Sequence, residues 1–265
     1  MPERLNRTDP MSIIKRQIAL LGVEATFGLL VSGVKLEGRE NLQKSKELQD
    51  GGKPLFIMAN HLSNLDGPLV YKILEKEGFR EPVFVVGIKL LRNPMTKFLV
   101  DRVRYILVWP PSPEPRNIEE KKEKSRINQR AYRDSRRVVN EGFEIVIFPE
   151  GTRSRTGYLG EGITEVAAYV EHYSDAVILP VALIDTDKRI PVGIPEIRRP
   201  LSVFKLTRGP VGVRVGQPIQ VSDLSERFCQ LSKGEKREMS MKYVMGRIGE
   251  LLPPRHIKSA RIIDN

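Results

Sequence analysis

The sequence predicts a single α/β domain, with helices flanking both faces of a mostly parallel central sheet. Short, uninterrupted apolar runs alternate along the chain with longer helix-like segments, which is typical of buried parallel strands joined by crossover helices. At 265 residues the chain can bury one sizeable core, and its 40% hydrophobic and 29% charged residues are ordinary for a globular protein.

An N-terminal helix at residues 1–36 is predicted to precede this domain, which then covers residues 37–265. The apolar run 18–34 contains Glu24 and is shorter than the roughly 20 residues of a bilayer-spanning helix. Basic residues on both sides of the run suit a helix that lies in the membrane interface. Packing of this helix on the domain's own core is the alternative. The acidic N-terminus has no small-residue cleavage pattern and predicts no secretory signal.

The strands and helices follow from the apolar patterns and the turn residues between them. The predicted strands are 55–59, 82–88, 105–108, 143–148, 177–184 and 211–215. The predicted helices are 65–77, a short one ending near residue 100, about 118–140, 163–172 and about 236–252. The polar stretch 37–53 reads as a loop, and Pro-rich turns follow residues 109 and 190. Ligands bind beyond the carboxyl ends of parallel strands, so the strand exits are candidate site positions.

The charge balance favours anionic partners. The formal net charge is +11 and the isoelectric point is near 9.8, which suits nucleic acid, an anionic membrane face, or acidic substrates and carriers. Cys229 is the sole cysteine, so no intrachain disulfide is possible and a reducing compartment is compatible.

At the first strand exit, His61 follows the run 55–59 and Asp66 lies five residues further on. Helix positions face each other at intervals of three and four, so this pair can meet only if His61 lies in the loop and Asp66 in the first helical turn. The carboxylate would then accept Nδ1–H and leave Nε2 as a general base. A structural hydrogen bond in the loop is the alternative for this pair. No metal site is predicted, because His172 and His256 have no second histidine at ligand spacing and are interpreted as surface or structural residues.

At the second exit, the strand 143–148 runs into Pro149, Glu150, Gly151, Thr152 and Arg153. Pro and Gly account for the turn, but not for the Glu and Arg beside them. A glycine that lets backbone N–H groups approach, a hydroxyl and a guanidinium together indicate a phosphate-binding loop.

Taken together, the two exits resemble one known family. Residues 60–66, NHLSNLD, resemble the NHx4D motif of the glycerolipid acyltransferases, the family that includes 1-acylglycerol-3-phosphate acyltransferase. Residues 148–154, FPEGTRS, look like that family's third motif without a mismatch, and 177–181 are similar to its fourth. The order and spacing of the motifs agree, and the resemblance covers about residues 55–185.

The resemblance implies a mechanism and a set of site residues. His61 deprotonates the acceptor's hydroxyl, whose oxygen attacks an acyl thioester, while Asp66 orients His61 and stabilises its imidazolium. No metal or other cofactor is implied, because acyl-CoA or acyl carrier protein supplies an acyl group that is already activated. The residues implied to bind substrate are Asn60, Lys89, Arg116, Glu150, Gly151, Thr152 and Arg153.

The family's second motif is where this sequence departs. The strand 105–108 exits into Trp109-Pro110, where the family usually has an Asp-Arg pair whose Arg helps hold the acceptor phosphate. Lys89 also lies closer to Pro94 than the family pattern expects. Either Arg116 replaces the missing arginine, or the acceptor differs from lysophosphatidic acid.

The predicted helix 118–140 belongs to a strongly basic segment. Between residues 116 and 137 there are nine basic and four acidic side chains, with few apolar ones among them. A solvated helix face is the simplest interpretation; docking to anionic lipid or to an acidic acyl carrier is the functional one. Nucleic-acid binding is the distant alternative, because interleaved aromatics and a recognisable nucleic-acid module are absent from the sequence.

The sequence therefore predicts a peripheral or monotopic enzyme on the cytoplasmic face of the membrane. The predicted reaction moves a fatty acyl group to the free hydroxyl of 1-acylglycerol-3-phosphate and forms phosphatidic acid in phospholipid biosynthesis. Glycerol 3-phosphate or another lysolipid is the alternative acceptor.

Overall fold

The structure is a computed structural model that describes residue 25 and residues 27–92, 97, 100, 103–110, 114–190 and 206–258. Its strands are β1 (Val31–Glu37), β2 (Leu55–Ala59), β3 (Val83–Gly87), β4 (Arg104–Val108), β5 (Ile145–Ile147), β6 (Val177–Ile184), β7 (Gly209–Val215) and β8 (Ile219–Gln220). Its helices are α1 (Arg39–Asp50), α2 (Asp66–Lys76), α3 (Lys89–Arg92), α4 (Ile118–Asn140), α5 (Thr164–Val170), α6 (Thr186–Arg189), α7 (Val221–Arg227) and α8 (Lys233–Leu251), followed by a 3₁₀ turn at Pro254–His256.

All eight strands join one sheet, whose order is β1-β7-β6-β2-β5-β3-β4, with β8 also paired to β6. The strands β6, β2, β5, β3 and β4 run parallel to one another. The strands β7 and β8 run antiparallel to β6, and β1 is parallel to β7. The predicted α/β fold with a mostly parallel central sheet is therefore confirmed.

The sheet has an apolar layer on each face because successive side chains of a strand point to opposite sides. In β2, Phe56 and Met58 belong to one buried cluster and Leu55 and Ile57 to the other. Helices α1 and α2 cover the cluster that contains Leu55 and Ile57. Helices α4, α5, α7 and α8 cover the cluster that contains Phe56 and Met58. Each fully buried side chain of this size contributes about 1.5–3 kcal/mol, so the central strands are a rigid base for the loops at their carboxyl ends.

The N-terminal boundary of the domain differs from the prediction. Val31–Glu37, part of the predicted helix 1–36, is the edge strand β1 and pairs with β7. Gly38, at φ 78°, follows it so closely that a Cβ atom there would lie 2.1 Å from the carbonyl oxygen of Val215. This close approach ends the strand and turns the chain into α1. Residues 1–24 of the predicted helix lie outside the described residues.

Helix α1 was missed because its sequence is almost entirely polar. The predicted loop 37–53 contains only two apolar residues that pack on the core, Leu42 and Leu48. The helix is held instead by buried polar contacts: the Asn41 amide donates to the carbonyl oxygen of Val215 at 2.9 Å, and the Ser45 hydroxyl donates to the carbonyl oxygen of Asn41 at 2.9 Å. The first contact has a partner 174 residues away and the second lies within the helix, and neither gives an apolar periodicity in the sequence.

Strand β6 continues through Pro180. The two antiparallel neighbours pair with β6 on either side of this residue, β8 at residues 177–178 and β7 at residues 181–184. Pro180 lacks an N–H, and its carbonyl oxygen accepts the Gly216 N–H at 2.8 Å. The exit of β6 is therefore Asp185.

Within the described ranges of the chain, no helix is both long enough and apolar enough to cross a bilayer.

Candidate active site

The first and third motifs meet because β2 and β5 are adjacent parallel strands. Residue 58 of β2 is in register with residue 147 of β5, so the chain leaves both strands at the same edge of the sheet. The backbone N–H of Ser154, in the third motif, donates to the carbonyl oxygen of His61 at 2.7 Å. The two motifs therefore lie side by side where the chain leaves β2 and β5.

His61 and Asp66 form the hydrogen-bonded pair that their spacing allowed. His61 lies in the loop after β2 and Asp66 is the first residue of α2, and the distance from His61 Nδ1 to Asp66 Oδ2 is 2.8 Å. The Asp66 side chain is fully buried and the His61 side chain is 21% exposed. An ionised Asp66 accepts Nδ1–H, and His61 Nε2 has no partner among the described residues. This arrangement can remove a proton from a hydroxyl group that reaches Nε2.

Asp66 also shapes the loop that carries His61. Its Oδ2 atom accepts the backbone N–H groups of Leu62 at 2.6 Å and Ser63 at 2.7 Å, in addition to the imidazole. Hydrogen bonds to a carboxylate are roughly twice as strong as neutral ones. One carboxylate oxygen therefore holds both the histidine ring and the backbone that follows it.

The third motif presents a sharp turn that depends on glycine. Gly151 has φ 63°, and a Cβ atom there would lie 2.1 Å from Cδ1 of Ile163. Glycine adopts this left-handed conformation without strain and lets the chain pass close to Ile163. The N–H of Ile163 donates to the carbonyl oxygen of Pro149 at 2.8 Å. After this turn, the N–H groups of Thr152 and Arg153 have no partner in the described part of the chain. Such adjacent N–H groups suit an anion.

Arg153 adds a cation to the same turn. Its side chain is half-buried and forms no ion pair with any described residue, and Thr152 beside it is exposed. An arginine that is already partly desolvated and lacks a carboxylate partner is well suited to bidentate binding of a phosphate.

Glu150, which was assigned to the same phosphate-binding set, faces elsewhere. It is 8% exposed, and its two oxygens accept the N–H of His61 at 2.8 Å and the N–H of Gly160 at 2.9 Å. Burial raises the pKa of this carboxyl group, while the N–H groups of His61 and Gly160 act in the opposite direction. Its carboxylate therefore connects two segments of protein backbone.

Asn60 is likewise bonded to the protein itself. Its side chain is fully buried, its amide NH₂ donates to the carbonyl oxygen of Leu183 at 3.0 Å, and its amide oxygen accepts the N–H of Leu183 at 2.7 Å. Both polar groups of the amide thus continue the pairing between the end of β2 and β6. This is a structural contact of the first-motif loop.

The second-motif region follows β3 and β4, which lie beyond β5 in the order of the sheet. Lys89 is exposed at the start of α3, beyond the exit of β3, and so lies at the same sheet edge as the two motifs. The buried Trp109 follows β4, and the guanidinium of Arg92 lies 5.6 Å from its ring centroid. Arg116 binds the Glu120 carboxylate at 2.7 Å, and this glutamate is its only partner among the described residues. Arg116 thus contacts neither motif.

Three further residues at the site were not among the predicted catalytic or substrate-binding residues. The Phe148 ring stacks on the His61 imidazole with centroids 4.3 Å apart. Gly160 approaches Glu150 so closely that a Cβ atom there would lie 2.5 Å from Oε2. His256, near the C-terminus, is buried and donates Nδ1–H to the carbonyl oxygen of Gly157 at 2.7 Å, which anchors the third-motif loop. His172, by contrast, is exposed, as expected.

Comparison with known proteins agrees with this architecture. The family model described as Acyltransferase matches residues 33–184, more than half of the chain. Among solved structures, the chain is similar to PlsC, the 1-acyl-sn-glycerophosphate (LPA) acyltransferase from Thermotoga maritima, with a TM-score of 0.56 and 21% sequence identity. That match covers 94% of this chain and 85% of the other, and at this identity it supports the fold. On the extent of the family match, this chain belongs to the acyltransferase family.

Proposed function

We propose that the protein moves a fatty acyl group from an acyl thioester to the free hydroxyl of 1-acylglycerol-3-phosphate and thereby forms phosphatidic acid. The observation that carries this proposal is the juxtaposition of the His61–Asp66 pair with the third-motif turn, through the 2.7 Å bond from Ser154 N–H to the His61 carbonyl oxygen. A base and an unpaired guanidinium on one sheet edge suit an acceptor that has both a hydroxyl and a phosphate.

The proton movements follow from the tautomer that Asp66 selects. His61 Nε2 takes the proton of the acceptor hydroxyl as its oxygen attacks the thioester carbonyl carbon. The carbon–sulfur bond then breaks, and the imidazolium returns the proton to the leaving thiolate, so that a thiol and an ester are the products. Asp66 stabilises the imidazolium between these steps. The chemistry requires neither a metal nor another cofactor, because the thioester is already activated.

The acceptor phosphate is assigned to the turn at Gly151, Thr152 and Arg153. The N–H groups of Thr152 and Arg153 and the Arg153 guanidinium would donate to its oxygens. Ser154 directly follows Arg153, and its N–H binds the carbonyl oxygen of His61. A phosphate bound at Arg153 would therefore have the short glycerol backbone of the acceptor next to His61.

Glycerol 3-phosphate, or another lysolipid, is the second candidate acceptor. One observation keeps the acceptor open: Trp109 stands where the family usually has Asp followed by Arg, and Arg116 is engaged by Glu120. Arg116 therefore does not take the place of the second-motif arginine at the phosphate.

The test is release of free thiol from purified protein with a panel of acceptors, supplied with acyl-CoA or with acyl carrier protein. We expect lysophosphatidic acid to support turnover, and His61→Ala to abolish it. His172→Ala, at an exposed position, is the matched control and should retain full activity. If glycerol 3-phosphate is the only acceptor that supports turnover, the proposed acceptor is wrong and the proposed mechanism stands. If His61→Ala turns over as fast as wild type, the proposed mechanism is wrong.

We also infer that the enzyme acts at the cytoplasmic face of the membrane and docks through α4. Five exposed or partly exposed basic side chains of this helix have no ion-pair partner in the described ranges: Lys121, Lys122, Arg126, Arg133 and Arg136. Most of them project opposite the side of the helix that buries Ala131, Ser135 and Val138 against the core. Juxtamembrane basic groups contribute about 1 kcal/mol each to binding of anionic lipid.

Vesicle flotation tests this docking. Wild-type protein should float with vesicles that contain phosphatidylserine, and a Lys122→Glu/Arg126→Glu/Arg133→Glu variant should not. Lys242→Glu, on α8, is the single-charge control. Equal flotation of both variants would contradict docking through α4. Binding to a polynucleotide instead of vesicles, with a steep dependence on salt, would favour nucleic acid as the partner.

A further inference from the structure

The backbone of His61 is held on both sides by the third motif. Its N–H donates to Glu150 Oε1 at 2.8 Å, and its carbonyl oxygen accepts the N–H of Ser154 at 2.7 Å. The Phe148 ring stacks on its imidazole with an angle of 18° between the two planes. Thus three members of the FPEGTRS segment, Phe148, Glu150 and Ser154, contact the histidine.

Glu150 is the member of this set whose side chain joins separate segments. Its Oε1 atom accepts the N–H of His61, after β2, and its Oε2 atom accepts the N–H of Gly160, ten residues beyond it. Both acceptor positions of the carboxylate face N–H donors, so the ionised form satisfies both donors at once. Gly160 is required for this contact, because a Cβ atom there would lie 2.5 Å from Oε2.

A direct contact between Glu150 and an acceptor phosphate conflicts with this geometry. The residue is 8% exposed and both of its oxygens are already engaged. An ionised carboxylate would also repel a phosphate in the low-dielectric site. The carboxylate therefore acts on the protein and not on the acceptor.

We propose that Glu150 is a positioning residue, which sets the distance of His61 from the substrate by clamping the His61 backbone to the third-motif loop. This inference rests on the proposed acyl transfer, in which His61 is the base. Without the clamp, the loop after β2 keeps its bonds to Asp66 and to the Ser154 N–H, but the His61 N–H loses its contact with the Glu150 carboxylate and, through it, with Gly160. The base and the acceptor hydroxyl then no longer share one rigid frame.

Glu150→Gln is the first test, because the amide has one acceptor atom where the carboxylate has two. One of the two N–H groups, of His61 or of Gly160, must then face an NH₂ group. A displacement of about 1 Å between reacting groups costs on the order of a hundredfold in rate. We expect kcat to fall by about that factor while KM for the acceptor changes by less than about twofold. The control is Glu165→Gln, at an exposed position of α5, which should leave both constants unchanged.

Gly160→Ala tests the same contact from the opposite side. Its methyl group must push Oε2 away without removing the Glu150 charge, so we expect the same fall in kcat with an unchanged acceptor KM. Gly234→Ala is the control, since a Cβ atom there meets nothing within 4 Å. This second variant decides the question if Glu150→Gln does not fold.

Amide hydrogen exchange separates the clamp from the proposed function. Measured without substrate, exchange at residues 60–64 should be several-fold faster in both test variants than in wild type and in the controls. An acceptor KM that rises tenfold with kcat near the wild-type value would overturn the clamp and assign Glu150 to the acceptor. If wild-type protein transfers no acyl group, the proposed function fails, and unchanged hydrogen exchange in the variants would independently refute the clamp.

Discussion

Replacing Asp66 by asparagine probes the central pair without changing its shape. The amide oxygen can occupy the position of Oδ2 and still accept the N–H groups of Leu62 and Ser63, as well as the Nδ1–H of His61. The NH₂ group then replaces Oδ1, a buried atom with no hydrogen-bond partner in the described structure. The loop should therefore fold, while the negative charge beside the imidazole is lost.

Two energies follow from these contacts. The buried NH₂ group has no acceptor, which costs about 1–3 kcal/mol of folding stability. The transition-state effect is larger: with 2.8 Å between Nδ1 and Oδ2, the charge centres are about 4 Å apart, and their attraction is about 4 kcal/mol at an effective dielectric constant of 20. This corresponds to a fall in kcat of about a thousandfold.

Thiol release and thermal unfolding measure the two effects on the same samples. We expect Asp66→Asn to lose about a thousandfold in kcat with an acceptor KM within about twofold of wild type. Asp50→Asn is the control, because Asp50 lies at the end of α1 and, among the described residues, pairs only with Lys46. A kcat within tenfold of wild type would refute the reasoning, since it would mean that the imidazolium does not need the carboxylate's charge.

Three other changes give distinct results. Arg153→Ala should raise the acceptor KM at least tenfold and leave kcat nearly unchanged in the thiol assay, whereas an unchanged KM would point to an acceptor without a phosphate at this turn. Gly151→Ala should lower the unfolding free energy by about 1–3 kcal/mol, because alanine is strained at φ 63° and its Cβ meets Ile163; urea unfolding beside Gly234→Ala measures this, and equal stabilities would contradict it. Burial raises the pKa of Glu144 from 4.5 to about 7. The folded protein therefore keeps the proton over a pH range in which the unfolded chain has lost it, so the stabilising effect of the protonated Glu144 is fully present below pH 4.5 and is lost as the pH rises through about 7. The free energy of unfolding falls by about 3 kcal/mol over this range. Glu144→Gln should therefore gain stability relative to wild type between pH 5 and pH 8 in urea unfolding, and a constant difference would show that burial does not destabilise the ionised form.

Several elements and the central pair could be read from the sequence alone. The bounds of β2, β6 and α4 agree with the prediction, because the two strands are continuous apolar runs and Asn117 caps α4 by accepting the N–H of Glu120 at 2.8 Å. The spacing of His61 and Asp66 allowed the pair to meet only with His61 in the loop and Asp66 in the first helical turn, and the structure has this arrangement. The shared edge for the two motifs followed from the parallel sheet.

The direction in which each motif side chain points was decided only by the tertiary structure. Asn60, Glu150 and His256 each bind backbone groups of segments that are distant along the chain, at Leu183, His61 and Gly157 respectively. Strand β1 exists because β7 offers it a pairing edge 170 or more residues later in the chain. A sequence pattern reports which residues share a face or a turn, but the partner of a buried polar group is chosen by the packing of the whole sheet.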